Sequence, residues 1–305
     1  MNEIVSDIKS LETETLKNLK NSKSENTLRA YSSDYKDFSS FCVKNNFCAL
    51  PTDPKIIALY LTHLSKSSKF STLKRRIASI SVVHKLKGHY IDTKHPLIVE
   101  NLLGIKRKNG SNQKAKKPIL INDLKMIINK IDELKINEMR KLRDKTVILV
   151  GFAGGFRRSE LVDINYEDVE FVREGVKIFI KKSKTDQSGE GMIKAIPSFN
   201  NNKYCPVMHL EEWMTNKEIK KDKIFPISDK SVALIIKKYA NLAGLESEKY
   251  AGHSLRSGFA TSTAESGAEE RNIMAMTGHK TTQMVRRYIK EANLFKNNAL
   301  NKLKL

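Results

Sequence analysis

Five side chains in the second half of the sequence have the types and spacing needed to handle a phosphate. Arg157 follows the turn Gly154-Gly155-Phe156 and opens Arg157-Arg158-Ser159-Glu160-Leu161. His253 and Arg256 stand three residues apart, which puts them on one face of a helical turn. His279 follows Gly278 and precedes Tyr288 by nine residues. On one unbroken helix, nine residues is about two and a half turns, and the pair would face opposite ways. Gly278 to Thr281, however, reads as a helix end at glycine and a new helix capped by threonine, so both rings can reach one point. Arginine offers a planar fork to two oxygens of one phosphate, as lysine cannot. Histidine donates hydrogen bonds or holds a proton, and a tyrosine that loses its proton is a nucleophile. Taken singly, each has an ordinary reading: Arg157 pairs with Glu160, His253 is half-buried, and Tyr288 packs a helix. Their joint occurrence in one chain points to phosphoryl chemistry.

The elements that must position these residues can be read from periodicity. The first 108 residues read as all helical: residues 3–20, Ser24 to Asn45, a helix opened by Asp53-Pro54, Ser71 to Leu86, and one introduced by His95-Pro96 that ends near Gly104. Lys106 to Pro118 has no apolar periodicity and reads as a basic linker between domains, with residues 109–118 joining units 1–108 and 119–305. In the second unit Asn122 reads as the N-cap of a helix running to Leu134, and Glu138 to Phe152 as another helix. Val176 to Ile180 and Met192 to Pro197 flank a polar, glycine-containing loop and read as a β-hairpin. Helices then run to the end. The tail from Lys290 carries Leu294, Phe295, Ala299, Leu300 and Leu303 on an apolar stripe. This stripe either folds back on its own domain or packs on another copy.

The formal net charge is +21 over 305 residues, and it is unevenly placed. Residues 1–60 are neutral overall, whereas residues 61–120 hold 14 basic and 2 acidic residues, net +12. A surface that follows a phosphate backbone would be charged in this way. Lys74, Arg75, Arg76, Lys106, Arg107 and Lys108 are its candidate contacts. The most apolar stretch, Thr146 to Phe156, has 11 residues, too few to span a bilayer. The N-terminal residues carry acids and lack an apolar core, so no signal peptide is expected. Three cysteines, Cys42, Cys48 and Cys205, without CxxC spacing fit a reducing cytoplasm and neither a zinc site nor a disulfide framework.

Three segments together carry a resemblance. GFRRSEL (from Gly155), GHSLRSGFA (from Gly252) and TGHKTTQMVRRYI (from Thr277) resemble, in order and internal spacing, the motifs of the tyrosine recombinase (phage integrase) family. The resemblance covers about the last 190 residues in motif detail, and the first unit only in kind. It implies a mainly α fold with a small β-hairpin or sheet: a helical core-binding domain, then a mostly helical catalytic domain. It assigns Arg157 and Arg256 to the non-bridging phosphate oxygens, His253 and His279 to further hydrogen bonds, and Tyr288 to nucleophilic attack. Neighbouring cations should lower the Tyr288 pKa, with His253 as base. The leaving oxygen's proton is assigned to a hairpin lysine, Lys184, with Lys181, Lys182 and Lys194 as competitors. Glu160 would orient the Arg157 segment, and Arg158 would touch the backbone or lie exposed.

The implied partner is double-stranded DNA with inverted-repeat recombination sites. The implied assembly is a homotetramer on two duplexes, with the C-terminal helix docking in trans. No cofactor and no metal are implied. Asp163, Glu167, Asp168 and Glu170 read as a solvated turn rather than a two-metal cluster. A type IB topoisomerase uses similar chemistry and remains the enzymatic alternative. A catalytically silent DNA-binding protein on the same scaffold is the other.

Overall fold

The computed structural model describes residues 8–110, 116–181, 183, 190–293 and 299–303. The chain divides into two units, Met1–Lys114 and Ala115–Leu305. It is mainly helical, with one small antiparallel sheet.

The first unit contains α1 (Ile8–Asn21), α2 (Glu25–Lys44), α3 (Pro54–Leu64), α4 (Phe70–Leu86) and α5 (Pro96–Asn109). Ser24 caps α2 by accepting from the Thr27 N–H, and prolines occupy the first turns of α3 and α5, where a missing N–H costs nothing. Phe38, Ile57, Leu61, Leu73 and Ile98 are fully buried between the helices. A carboxylate sits beside this core. Asp34 on α2 is buried and binds Arg75 at 2.9 Å and Ser79 Oγ at 2.9 Å, both on α4.

The helix opened by Pro96 does not stop near Gly104. It runs to Asn109, so Lys106, Arg107 and Lys108 form its exposed last turn and are not linker. An interior glycine costs only about 1 kcal/mol. Here Ile105 carries the face begun by Ile98 and Leu102 into the core beyond it. The basic run also suits the negative end of the helix dipole. Gly110, with φ +72°, follows as the C-cap.

The second unit is built on α6 (Ile121–Glu133) and α7 (Glu138–Ala153). The N-cap of α6 is Leu120, not Asn122. Four successive α7 residues, Val147 to Val150, are buried, so the second half of this helix is enclosed on all sides. A short helix α8 (Arg158–Val162) precedes strands β1 (Val169–Val172), β2 (Gly175–Ile180) and β3 (Met192–Pro197), in the order β1-β2-β3. Strand β1 extends the expected hairpin to three strands, in the register Val169↔Ile178. It occupies part of what reads in sequence as a solvated turn. Asp168 in that turn is itself buried: it accepts the Asn165 N–H at 3.0 Å and pairs with Lys181 at 2.9 Å. Helices α9 (Pro206–Asn216), α10 (Asp229–Leu242), α11 (Ser254–Glu265), α12 (Glu270–Thr277) and α13 (Thr282–Ala292) complete the unit. Residues 299–302 form a 3-10 turn in which Leu300 is 65% exposed, and Leu303 just beyond it is 58% exposed. Leu294 and Phe295 lie outside the described residues.

Helix α11 packs backbone to backbone on the strand-like entry to α6. The Ile119 N–H donates to the Ser254 carbonyl at 3.0 Å, and a Cβ built on Gly258 would lie 1.9 Å from the Ile119 oxygen. In an ordinary helix interior, Gly→Ala stabilises by about 1 kcal/mol. At this position Gly258→Ala should instead destabilise by about 1–3 kcal/mol, measured by urea unfolding. A gain in stability would contradict this packing.

Candidate active site

Arg157 is the N-cap of α8, and α8 puts a partner back against it. Glu160 accepts the Arg157 backbone N–H at 2.9 Å through Oε2 and its guanidinium through Oε1. Glu160 is buried and the Arg157 side chain is 17% exposed, so this pair is not the surface pair of the ordinary reading. Ahead of it, Gly155 holds φ +54°, a left-handed conformation that favours glycine, and turns the chain out of α7. Arg158 points elsewhere. It lies over Gly252, where a Cβ would sit 1.7 Å from its Cδ, and reaches Asp229 at 3.7 Å.

Arg256, in the first turn of α11, is completely buried. Its Nη1 donates to the Gly155 carbonyl at 2.8 Å, which ties α11 to the Arg157 turn. Its Nε and Nη2 have no hydrogen-bond partner among the described residues. Burial, with the nearby charge of Arg157, pulls its pKa down to about 10. Buried guanidinium donors are costly unless an acceptor meets them.

Lys194 on β3 is also fully buried. Its Nζ donates to the carbonyls of Gly154 at 2.7 Å and Met276 at 2.6 Å, and sits 4.5 Å from the Phe156 ring centroid. Burial pulls its pKa down to about 7.

His253, Tyr288 and His279 close the site. His253 caps α11 and is exposed, with Nε2 3.5 Å from Tyr288 Oη, the outer limit of a hydrogen bond. Gly278 ends α12 in the left-handed conformation and Thr281 precedes α13, so the chain breaks between His279 and Tyr288. The break brings their rings to 6.0 Å between centroids. The Thr277 hydroxyl donates to the Ile273 carbonyl at 2.6 Å, so its oxygen accepts from His279 Nδ1 at 2.7 Å. In the neutral ring this makes Nε2 an acceptor. Burial first, then Arg256 and Arg157, pulls the His279 pKa down to about 4. The ring is therefore neutral near pH 7, and it can donate through Nε2 only after taking up a proton. The Tyr288 phenol also departs from expectation. Arg256, Arg287 and Arg157 each lower its pKa, but burial outweighs them and the net direction is upward. Desolvation of the phenolate is the largest single effect, and the Glu291 carboxylate adds to it in the same direction.

Lys184 and Lys182 lie outside the described residues. Lys181 is engaged by Glu167 at 3.0 Å and Asp168 at 2.9 Å. In the first unit, Arg76 pairs with Asp34 and Asp37, while Arg75 pairs with Asp34 and remains about half exposed. Lys74 is exposed, with its Nζ 5.3 Å from the Phe70 ring centroid. The roles of Thr277 and of the Gly155 carbonyl have no signature in the sequence. That of Lys194 has one: it shares strand parity with buried Ile196.

The model of the phage integrase family matches residues 119–294. An integrase/recombinase xerD homolog of Selenomonas ruminantium is 42% identical over 300 residues, covering 93% of this chain and 87% of the relative. The tyrosine recombinase XerD of Staphylococcus haemolyticus is 25% identical over 270 residues, covering 86% of this chain and 87% of the relative. The fold is similar to that of the XerH site-specific recombinase in a post-cleavage complex with a palindromic difH substrate. That match has a TM-score of 0.62 and 17% identity, over 81% of this chain and 73% of that one. It is also similar to a lambda integrase tetramer bound to a Holliday junction, with a TM-score of 0.57 and 17% identity, over 92% of this chain and 75% of that one. With two guanidinium groups, two imidazoles and a tyrosine brought together on the matched residues, the chain belongs to the phage integrase family, the tyrosine recombinases.

Proposed function

We propose that this chain is a site-specific recombinase that cuts and rejoins DNA through a covalent 3′-phosphotyrosine at Tyr288. The observation that carries the reading is Arg256. A buried guanidinium with two unpartnered donors among the described residues, beside a second arginine, fits a doubly hydrogen-bonded phosphate. Tyr288 Oη forms a bond to phosphorus as the bond to the 5′-oxygen breaks. The phenol proton passes to His253 Nε2, and the leaving oxygen takes a proton from the hairpin lysine, Lys184. Arg157 and Arg256 stabilise the charge that builds on the non-bridging oxygens. Burial first and the cations second keep His279 neutral; the phosphate charge offsets the cations, and a proton taken up by His279 on binding lets it donate from Nε2. Rejoining is the reverse, with a different 5′-hydroxyl as nucleophile. Glu160 orients Arg157. The exposed basic residues of the first unit, Lys74, Arg75, Lys106, Arg107 and Lys108, contact the backbone of an inverted-repeat site.

The positive charge that a metal would supply is here supplied by arginine, and a divalent cation would be repelled by it. Covalent capture should therefore proceed in EDTA. The test incubates a pool of nicked duplexes with randomised half-sites, which lose the leaving strand after cleavage. The wild type should trap DNA in EDTA and Tyr288→Phe should trap none. Capture that needs magnesium would sink the metal-free mechanism, and capture by Tyr288→Phe would sink the nucleophile. A silent binding protein would trap nothing, and a topoisomerase-like enzyme would trap without preference among half-sites.

An apolar groove and an exposed apolar tail support the recombinase over simple nicking. An apolar groove of about 690 Å³ in the second unit is lined by Leu149, Phe152, Ala153, Phe199, Phe259 and Met276. Its occupant is the C-terminal segment of a second copy, whose Leu300 and Leu303 are exposed on their own chain. Two pairs of such contacts close a tetramer that exchanges strands through a Holliday junction, the DNA to which the lambda integrase tetramer is bound. Deleting residues 293–305 should leave single-site binding intact and abolish synapsis in a gel-shift assay. Synapsis that survives, with a lowered melting temperature of the monomer, would mean that the tail docks on its own domain.

A further inference from the structure

Strand β3 carries a lysine at an inward position, and every donor of that lysine is spent inside the protein. Lys194 Nζ reaches two carbonyls, Gly154 O and Met276 O, and faces the Phe156 ring with what remains. The two carbonyls are not arbitrary. Gly154 is the C-cap of α7 and Met276 is the penultimate residue of α12. Helix C-termini present unsatisfied carbonyls and partial negative charge, the natural seat of an ammonium group. Three residues after Gly154 comes Arg157, and three residues after Met276 comes His279.

We propose that Lys194 is a positioning residue for strand cleavage, a clamp that joins the ends of α7 and α12 and so sets the spacing between Arg157 and His279. The inference rests on the recombinase reading for its consequence, though not for its geometry. A lysine that served only as core filling would not need both carbonyls, and an apolar residue of similar volume would serve better there. The neutral amine still has two N–H donors for the two carbonyls, so the clamp holds whether or not the group is charged. Arg256 Nη1 bonds the next carbonyl along, Gly155 O, at 2.8 Å. Consecutive carbonyls of the Arg157 turn are therefore held from two directions, by β3 and by α11. Because reacting groups misplaced by about 1 Å can lose about 100-fold in rate, loosening this clamp should damage cleavage far more than binding.

The variant Lys194→Met keeps length and bulk and removes all donors. Lys194→Gln keeps two N–H donors on a shorter arm. Two measurements are made on the full-length protein. Hydrogen exchange should show the amides of residues 155–159 and 277–280 opening together in Lys194→Met, with the remaining core unchanged. Single-turnover capture of the nicked duplex should fall by about 100-fold in Lys194→Met and by less in Lys194→Gln. The affinity for the same duplex, measured in the Tyr288→Phe background, should stay within about threefold, since the phosphate backbone contacts are intact. Cleavage unchanged in Lys194→Met, or cleavage and affinity lost in parallel, would overturn the positioning role. If Lys194→Met does not fold, Lys194→Gln decides by the same split between cleavage and affinity. If the wild type itself traps no DNA, the recombinase reading fails. The clamp is then judged on exchange alone, and unchanged exchange in both segments overturns it.

Discussion

Like charges held together out of water are the constraint on which the second unit depends. Arg256 is fully buried and the Arg157 side chain is 17% exposed, and they lie close enough for the charge of Arg157 to weaken the proton affinity of Arg256. Placing one ion in such surroundings costs several kcal/mol unless its donors are met. Glu160 answers Arg157 and the Gly155 carbonyl answers one arm of Arg256, but Nε and Nη2 of Arg256 have no partner among the described residues. The proposed scissile phosphate resolves this frustration. A site that is electrostatically incomplete on its own is prepared for the charge that develops in phosphoryl transfer, and it needs little reorganisation when that charge appears.

Much of the surrounding fold reads as a means of enduring this repulsion. The second half of helix α7 is buried on all sides and gives the Arg157 turn its base. Gly155 supplies a left-handed residue at the turn, and Gly258 lets α11 lie against the backbone at Ile119 so that Arg256 reaches Gly155. The left-handed Gly278 breaks the last two helices, so that a histidine and a tyrosine nine residues apart face one another. His279 stays neutral through burial first and the local cations second. Tyr288 keeps its proton because its burial outweighs those cations. In this account His279 awaits a phosphate before it takes up a proton, and Tyr288 loses its own to His253 only as its oxygen bonds to phosphorus.

The sequence made these parts legible to different degrees. Residues that act through their own side chains at fixed spacing, Arg157, His253, Arg256, His279 and Tyr288, stand out because their spacing has few structural uses. Helix existence was legible from apolar periodicity, and the break at Gly278 from glycine and threonine together. Ends were less so: α5 runs past Gly104 because Ile105 is worth burying, a tertiary gain that local propensity does not contain. Strand β1 was hidden because its two outer residues are only half-buried, so Val169 to Val172 shows no inward-outward alternation. The direction of the Tyr288 pKa could not be read at all, because desolvation depends on what packs above the ring. Lys194 sat between these cases, since its parity with Ile196 was visible while the two carbonyls it joins were brought to it by folding.

The central claim, that the buried arginines act on the reacting phosphate rather than hold DNA, is tested most directly by Arg157→Lys. The substitution keeps the charge and removes the planar fork. Affinity for a half-site duplex should remain within about threefold, since point charge suffices for backbone contact, while single-turnover cleavage should fall by about 100- to 1,000-fold. Binding and cleavage falling together would make Arg157 ordinary surface charge, and cleavage near the wild-type rate would remove the bidentate phosphate contact from the account.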